Sequence, residues 1–265
     1  MRKLLFIGTC MLAACTTKQL TTTLAPVNGT VSINGKIFTS LFQQKAAEYR
    51  ALCFQAYNIA RLRLDEYKPL TNKPRAIVTD IDETVLDNSP YEAHRVLQGN
   101  DYDPASWYEW TAKASADTLP GAASFLKYAA SKGITIFYIT NRDEKERAAT
   151  IQNLKKFDLP NADDLHFMPK QNVSSKEARR QAVFNAYEIV LLLGDNLADF
   201  SALFDKKTVD ERMRNTNFSM ADFGNRFIVL PNPVYGDWES SLFNYNYKLT
   251  QGQKDSVIRG VLKTY

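Results

Sequence analysis

Two hydrophobic rhythms alternate along this chain. Short, mainly apolar runs occur at 76–81, 134–139, 165–167, 189–193 and 227–230. Between them apolar positions recur every three or four residues, over Ser40–Tyr67, 121–131, 143–157 and 175–186. Such a run reads as a strand covered on both faces, and the longer period reads as an amphipathic helix. Strand–helix alternation then predicts a parallel sheet with helices on both sides, an α/β architecture. The leading helix places Leu41, Ala46, Tyr49, Leu52, Cys53, Ala56, Ile59 and Ala60 near helical spacing.

The segment Asp87–Ala116 breaks the alternation and carries Tyr91, Tyr102, Trp107, Tyr108 and Trp110. It follows the first strand directly, so it is placed to cover that strand's carboxyl end. With the leading helix (35–68) and C-terminal residues it predicts a smaller, mainly helical cap on a core at about 70–86 and 117–232. Apolar content of 45% supports a full core, and 35–265 reads as a single domain. The net charge of +4 is weak and mixed along the chain, with no basic stripe for a nucleic acid polymer.

Candidate chemistry gathers where the apolar runs stop. The first ends in Asp80-Ile-Asp82-Glu-Thr84, whose two acids leave an extended backbone on the same side. Acids at the carboxyl end of a core strand mark the usual ligand crevice of an open α/β sheet. Like charges this close require a cation or a shared proton. The fourth run ends in Gly194-Asp195-Asn196, with Asp199 four residues after Asp195. Two such acid pairs suit Mg²⁺, which takes a few carboxylates and keeps water and phosphate oxygens besides. Taken singly, the second pair also reads as an N-cap aspartate with a solvated neighbour. The 134–139 run ends at Thr140-Asn141-Arg142, where a following helix N-terminus and the Thr140 hydroxyl would face an anion. Lys176 opens a further helix against its dipole, a mismatch that assigns it to something outside its own helix.

Asp80-x-Asp82-x-Thr84, Thr140, Lys176 and Gly194-Asp195-Asn196-x-x-Asp199 resemble the four motifs of the haloacid dehalogenase superfamily, in order. Asp80–Tyr91, Tyr138–Arg142, Gly194–Phe200 and Leu230–Trp238 resemble, more narrowly, the class C acid phosphatases, which are bacterial outer-membrane lipoproteins. One departure is Ala198, where close relatives can carry a further acid. The resemblance runs from about Tyr49 to the C-terminus. It implies a Rossmannoid sheet with a cap, Mg²⁺ as cofactor, and hydrolysis of small phosphomonoesters. It assigns Asp80 as nucleophile and Asp82 as the acid for the leaving oxygen, with an acidic working pH. Asp80, Asp195, Asp199 and the Asp82 carbonyl would hold the metal, with Asp199 alternatively fixing Lys176. Thr140 and Lys176 would hold phosphoryl oxygens. Trp107 and Tyr235 resemble the rings flanking the leaving group, with Thr84, Asn88, Tyr91 and Asn141 as substrate contacts beside them. Trp110 and Trp238 read as core. The implied substrates are aromatic phosphates and nucleoside 5′-monophosphates, with nicotinamide mononucleotide a further candidate.

The N-terminus agrees independently. Arg2-Lys3, an apolar stretch Leu4–Leu12 and Ala13-Ala14-Cys15 read as a signal peptide over 1–14. The stretch is shorter than the roughly 20 residues of a membrane span. Leu12-Ala-Ala-Cys15 resembles a lipoprotein box, which makes Cys15 the lipidation site and 15–34 a Thr-rich tether to the membrane. Cleavage near Ala14 alone would instead release a periplasmic protein. Either way the expected location is a bacterial cell envelope, outer membrane with lipidation. Cys53 is then alone, a small core residue with no disulfide partner. His94 and His166 lack any ligand spacing, so no zinc site is expected. Alternatives are a related sugar phosphatase or phosphotransferase, and a surface lipoprotein acting as an adhesin or ligand-binding protein. A homodimer is a candidate assembly.

Overall fold

The computed structural model describes residues 30–265. The expected signal peptide, Cys15 and most of the tether lie outside the described residues. The tether's last residues are not irregular: Val31 begins a helix.

In chain order the elements are α1 (Val31–Lys45), α2 (Ala47–Glu66), β1 (Arg75–Thr79), β2 (Leu86–Asp87), α3 (Ser89–Leu97) and α4 (Pro104–Ala112). Then come β3 (Asp117–Thr118), α5 (Ala122–Ser131), β4 (Thr135–Asp143), α6 (Arg147–Lys155), β5 (Phe167–Lys170) and α7 (Glu177–Ala186). The series closes with β6 (Glu188–Gly194), α8 (Val209–Phe218), β7 (Phe227–Val229), α9 (Asp237–Leu242) and α10 (Gln251–Val261). Among the described residues no helix is long and apolar enough to cross a membrane.

The main sheet has the order β5-β4-β1-β6-β7, and every pairing in it is parallel. Its strands are covered on both faces because their side chains alternate. Ile77, Ile136, Tyr138 and Leu191 join a core with α2 and α5. Ala76, Val78, Phe137 and Leu192 point the other way, toward Val183 of α7 and Phe200. Phe200 stacks on Phe227 at 5.0 Å between ring centroids. Parallel strands share one carboxyl edge, so the segments after β1 and β6 and the end of β4 emerge side by side. A two-stranded antiparallel pair, β2 with β3, flanks this edge.

The leading helix differs from the sequence expectation. Ala46 adopts an extended backbone and divides the predicted Ser40–Tyr67 helix in two. Neither glycine nor proline marks the break. Tyr49, Cys53, Ala56, Tyr57, Ala60 and Leu64 form the buried face of α2, while Leu41 and Leu52 are exposed. β4 runs four residues past its predicted end, so the helix predicted over 143–157 begins only as a short 3₁₀ turn at Glu144, with α6 proper at Arg147 and Thr140 left inside the strand. Trp238, expected in the core, is 45% exposed.

Candidate active site

Asp80 follows β1 and is pinned there by its own N–H, which donates to the Leu193 carbonyl of β6 at 2.9 Å. Ile81 turns into the core, and the chain then reverses through Glu83, whose φ is +55°. The reversal is closed by Val85 and Leu86 donating to the Ile81 carbonyl, each at 2.8 Å. β6 delivers Asp195 beside Asp80, and a 3₁₀ turn (Leu197–Asp199) folds Asp199 back over the strand end. Asp199 accepts from the Asn196 N–H at 3.0 Å. Gly194 makes this return feasible: a Cβ there would lie 2.4 Å from the Cβ of Asp199.

Single carboxylate oxygens of Asp80, Asp195 and Asp199 lie within 4.8 Å of one another. Lys176, at the start of α7, is buried between two of them. Its Nζ donates to Asp80 and lies 2.7 Å from Asp199 Oδ1. Burial first, then the Asp199 and Asp82 charges, push the Asp80 carboxyl up to about 7, against the pull of Lys176. Burial, then the Asp199 and Asp80 charges, raise Asp195 well above the usual carboxylate range. Lys176 itself is raised, because Asp199 and Asp80 outweigh its burial. Three carboxylates, two buried and Asp195 half-buried, facing one ammonium are short of positive charge. Their donor set is all hard oxygen, which fits Mg²⁺ and not a soft metal. Asn232 donates to Asp195 Oδ2 at 2.7 Å and orients it.

Asp82 is brought to the same cavity, but its carboxylate stands outside that trio. Arg142 grips it with a fork, Nη2 to Oδ1 at 2.7 Å and Nε to Oδ1 at 3.0 Å. Asn88 adds a bond from Nδ2 at 2.8 Å. Asn88 is in turn held by Trp110, whose Nε1 donates to its Oδ1 at 2.8 Å.

The cavity above these groups measures about 480 Å³, and its lining includes Asp80, Asp82, Lys176, Asp195, Asp199, Asn141, Trp107 and Tyr235. Four other sequence-predicted site residues do not line it. Thr84 is buried with its hydroxyl directed at Asp195, 3.4 Å away. Asn88 serves Asp82 as described. Tyr91 packs edge-on against Trp107 at 5.1 Å, with its hydroxyl 3.1 Å from Ser106, so it props that ring from behind. The Thr140 hydroxyl accepts from the Arg142 N–H at 3.1 Å, inside the extended end of β4. Asn141 does face the cavity, with Oδ1 accepting from Arg179 at 2.8 Å. The Tyr235 hydroxyl donates to the buried Glu83.

Sequence reasoning gave no role to Arg142, Arg179, Asn232 or Glu83. Arg142 carried a signal, since it directly follows Thr140-Asn141 at a strand end. Arg179 and Asn232 act through contacts across the fold that no local pattern encodes.

Residues 10–238 match the family described as HAD superfamily, subfamily IIIB (acid phosphatase). The structure is similar to that of the class C acid phosphatase from Bacillus anthracis, with 42% identity and a TM-score of 0.85. That likeness covers 88% of this chain and 99% of the other. A second structure of the same enzyme, with tungstate bound, matches at 42% identity and a TM-score of 0.85, over 89% and 99% of the two chains. Acid phosphatase 1 of Solanum lycopersicum is 25% identical over 167 residues, 60% of this chain. The match spans 57% of that protein's length, little more than half.

Proposed function

The chain belongs to the acid phosphatases of HAD subfamily IIIB, and from that premise we propose that it hydrolyses small phosphomonoesters through an aspartyl-phosphate on Asp80. The observation that carries this reading is the buried contact of Asp80 with Lys176, among Asp195 and Asp199, beneath a cavity wide enough for a small ester. The tungstate bound by the Bacillus anthracis enzyme supports it, since tungstate is a tetrahedral oxyanion like phosphate.

Asp80 attacks phosphorus as the ester oxygen departs, and Asp82 gives that oxygen a proton. Arg142 and Asn88 fix the Asp82 carboxyl for this transfer. In the second half, Asp82 takes a proton from water, the water oxygen bonds to phosphorus, and the bond to Asp80 breaks to release inorganic phosphate. Lys176 neutralises phosphoryl oxygens as charge gathers on them. Mg²⁺ held by Asp80, Asp195, Asp199 and the Asp82 main-chain carbonyl would supply further charge neutralisation. Trp107 and Tyr235 offer two ring faces to an aromatic leaving group, which suits aryl phosphates, nucleoside 5′-monophosphates and nicotinamide mononucleotide. A purely ligand-binding or adhesive role leaves the converged acids without a purpose. Lipidation at Cys15 would place the enzyme on the envelope, anchored by its acyl chains.

The test is turnover of p-nitrophenyl phosphate with and without Mg²⁺, beside the Asp80→Asn variant. The expected result is metal-dependent hydrolysis that falls by about 10³-fold or more in the variant. Turnover that persists in Asp80→Asn would exclude the aspartyl-phosphate route.

A further inference from the structure

The cavity has a second end that the phosphoryl chemistry does not use. Its outer wall is built from α1, α3, the loop before α4, and the C-terminal helices, and four acids line it: Glu92, Asp101, Asp237 and Glu239. Only two cationic side chains line the same wall, Lys36 and Lys254.

Most of these charges are matched inside the protein. Lys36 Nζ lies 2.9 Å from Asp101 and 3.4 Å from Glu239. Lys254 Nζ lies 2.9 Å from the other oxygen of Asp101. Asp237 is 3.7 Å from Arg212. Arg95, one turn along α3 from Glu92, gives its Nε to the Asp101 carbonyl at 3.0 Å. Glu92 is the exception. It is 5% exposed and lines the cavity, and its carboxylate has neither a hydrogen bond nor an ion pair among the described residues.

A carboxylate so buried and unpaired is costly to keep unless something brings it a partner. Burial pushes Glu92 up to about 7; Lys36, and more weakly Arg95, oppose the rise, while Asp101 and Glu239 add to it. The lysines cannot turn to it without abandoning Asp101 or Glu239. A positive charge from outside can, and aromatic rings share the cavity with it: Trp107, Tyr235 and Phe243 also line it. Ring faces and a carboxylate together form the usual environment for an ammonium group.

The geometry points to an ammonium-binding subsite at Glu92 that selects phosphomonoesters whose alcohol carries a cationic nitrogen. This deepens the phosphatase reading and rests on it: phosphorus sits at Asp80 while the cationic nitrogen reaches the outer wall. Glu92 is thereby a specificity residue that contacts the leaving group and takes no part in the bond changes. A neutral alcohol of the same shape fills the cavity but leaves the carboxylate unpaired.

The test compares two esters that differ only in that charge: phosphocholine and 3,3-dimethylbutyl phosphate, its neutral carbon isostere. The expected kcat/KM ratio in the wild-type protein favours phosphocholine by about 10- to 100-fold, expressed mainly in KM. In Glu92→Gln the ratio falls toward one. A wild-type ratio near one overturns the subsite, and so does a ratio that Glu92→Gln leaves unchanged. If that variant does not fold, the wild-type ratio decides alone. p-Nitrophenyl phosphate, run in parallel, separates the two ideas. Its hydrolysis with no preference between the paired esters, or with neither turned over, removes the subsite and leaves the phosphatase. Loss of all three activities removes the phosphatase reading and the subsite with it.

Discussion

Arg142 holds Asp82 by two nitrogens at once, Nη2 at 2.7 Å and Nε at 3.0 Å from the same carboxylate oxygen. The guanidinium is almost wholly buried and makes a further bond to Thr150 at 3.1 Å. So the proposed proton donor cannot swing away from the cavity without leaving a buried cation unpaired.

Removing the fork should therefore misplace the proton rather than the substrate. Arg142→Ala is expected to lower kcat by about 10²-fold, the usual worth of a positioned acid, with a smaller change in KM. Arg142→Lys should not rescue it, because an ammonium cannot supply two parallel donors. Steady-state kinetics on both variants decides; a Lys variant near wild-type kcat would count against the fork.

Gly194 leaves no room for a side chain. A Cβ there would stand 2.4 Å from both Cβ and Oδ2 of Asp199, so Asp199 must retreat from Lys176 in Gly194→Ala. The expected cost is about 1–3 kcal/mol of stability, as for other overpacked sites, together with a marked loss of turnover. Thermal melting and kcat measured on one preparation test it; a variant with unchanged melting and turnover would show that Asp199 moves freely.

The charge-poor acid trio should respond to metal in stability as well as in rate. Adding Mg²⁺ to chelator-treated protein is expected to raise the melting temperature, with a gain of about 2.7 kcal/mol at a hundred times Kd. Asp195→Asn should shrink that shift while leaving the apo protein no less stable, since it removes a buried like charge. Scanning calorimetry across a Mg²⁺ series provides the measurement.

Glu92 also imposes a pH dependence. Its folded value of about 7 exceeds its ordinary value of 4.5, so between them the folded state holds the proton more tightly. Stability from this group is fully present below about 4.5 and is lost as pH rises through about 7. The deficit levels off at a few kcal/mol, at about 1.4 kcal/mol per unit. Glu92→Gln should abolish it, making the variant more stable than wild type at pH 8 and comparable at pH 4.5. Urea unfolding at several pH values checks this; parallel curves for the two proteins would refute it.

The strands and their carboxyl-edge acids were legible in the sequence because burial on both faces leaves a mainly apolar run that ends abruptly. The outer wall was not. α10 is short and buries none of its residues, so no core-facing stripe marks it, though Thr250 and Gln253 cap its start. α8 opens on a similar box, Thr208 with Glu211, and buries only Arg212. α4 announces itself by Asp103, which accepts from the Ser106 N–H, and by Pro104 in its first turn. Those caps stand in the sequence, but a reading led by apolar spacing passes over them. The Lys36, Asp101, Glu239 and Lys254 cluster joins four distant segments by charge alone, which local patterns cannot foretell. Thr140 misled for a related reason: a core strand that continues past its apolar run looks finished too soon.

Lys254 closes the far wall of the cavity, and its neighbour Asp255 accepts from the Val31 and Ser32 N–H groups at 3.0 and 3.2 Å, fastening α10 to the first turn of α1. During synthesis, then, the sheet and all four aspartates leave the ribosome well before that wall can be assembled. A nascent chain stopped near residue 240 would own the reacting groups and Glu92 yet lack Lys254 and the helix that closes the wall opposite them.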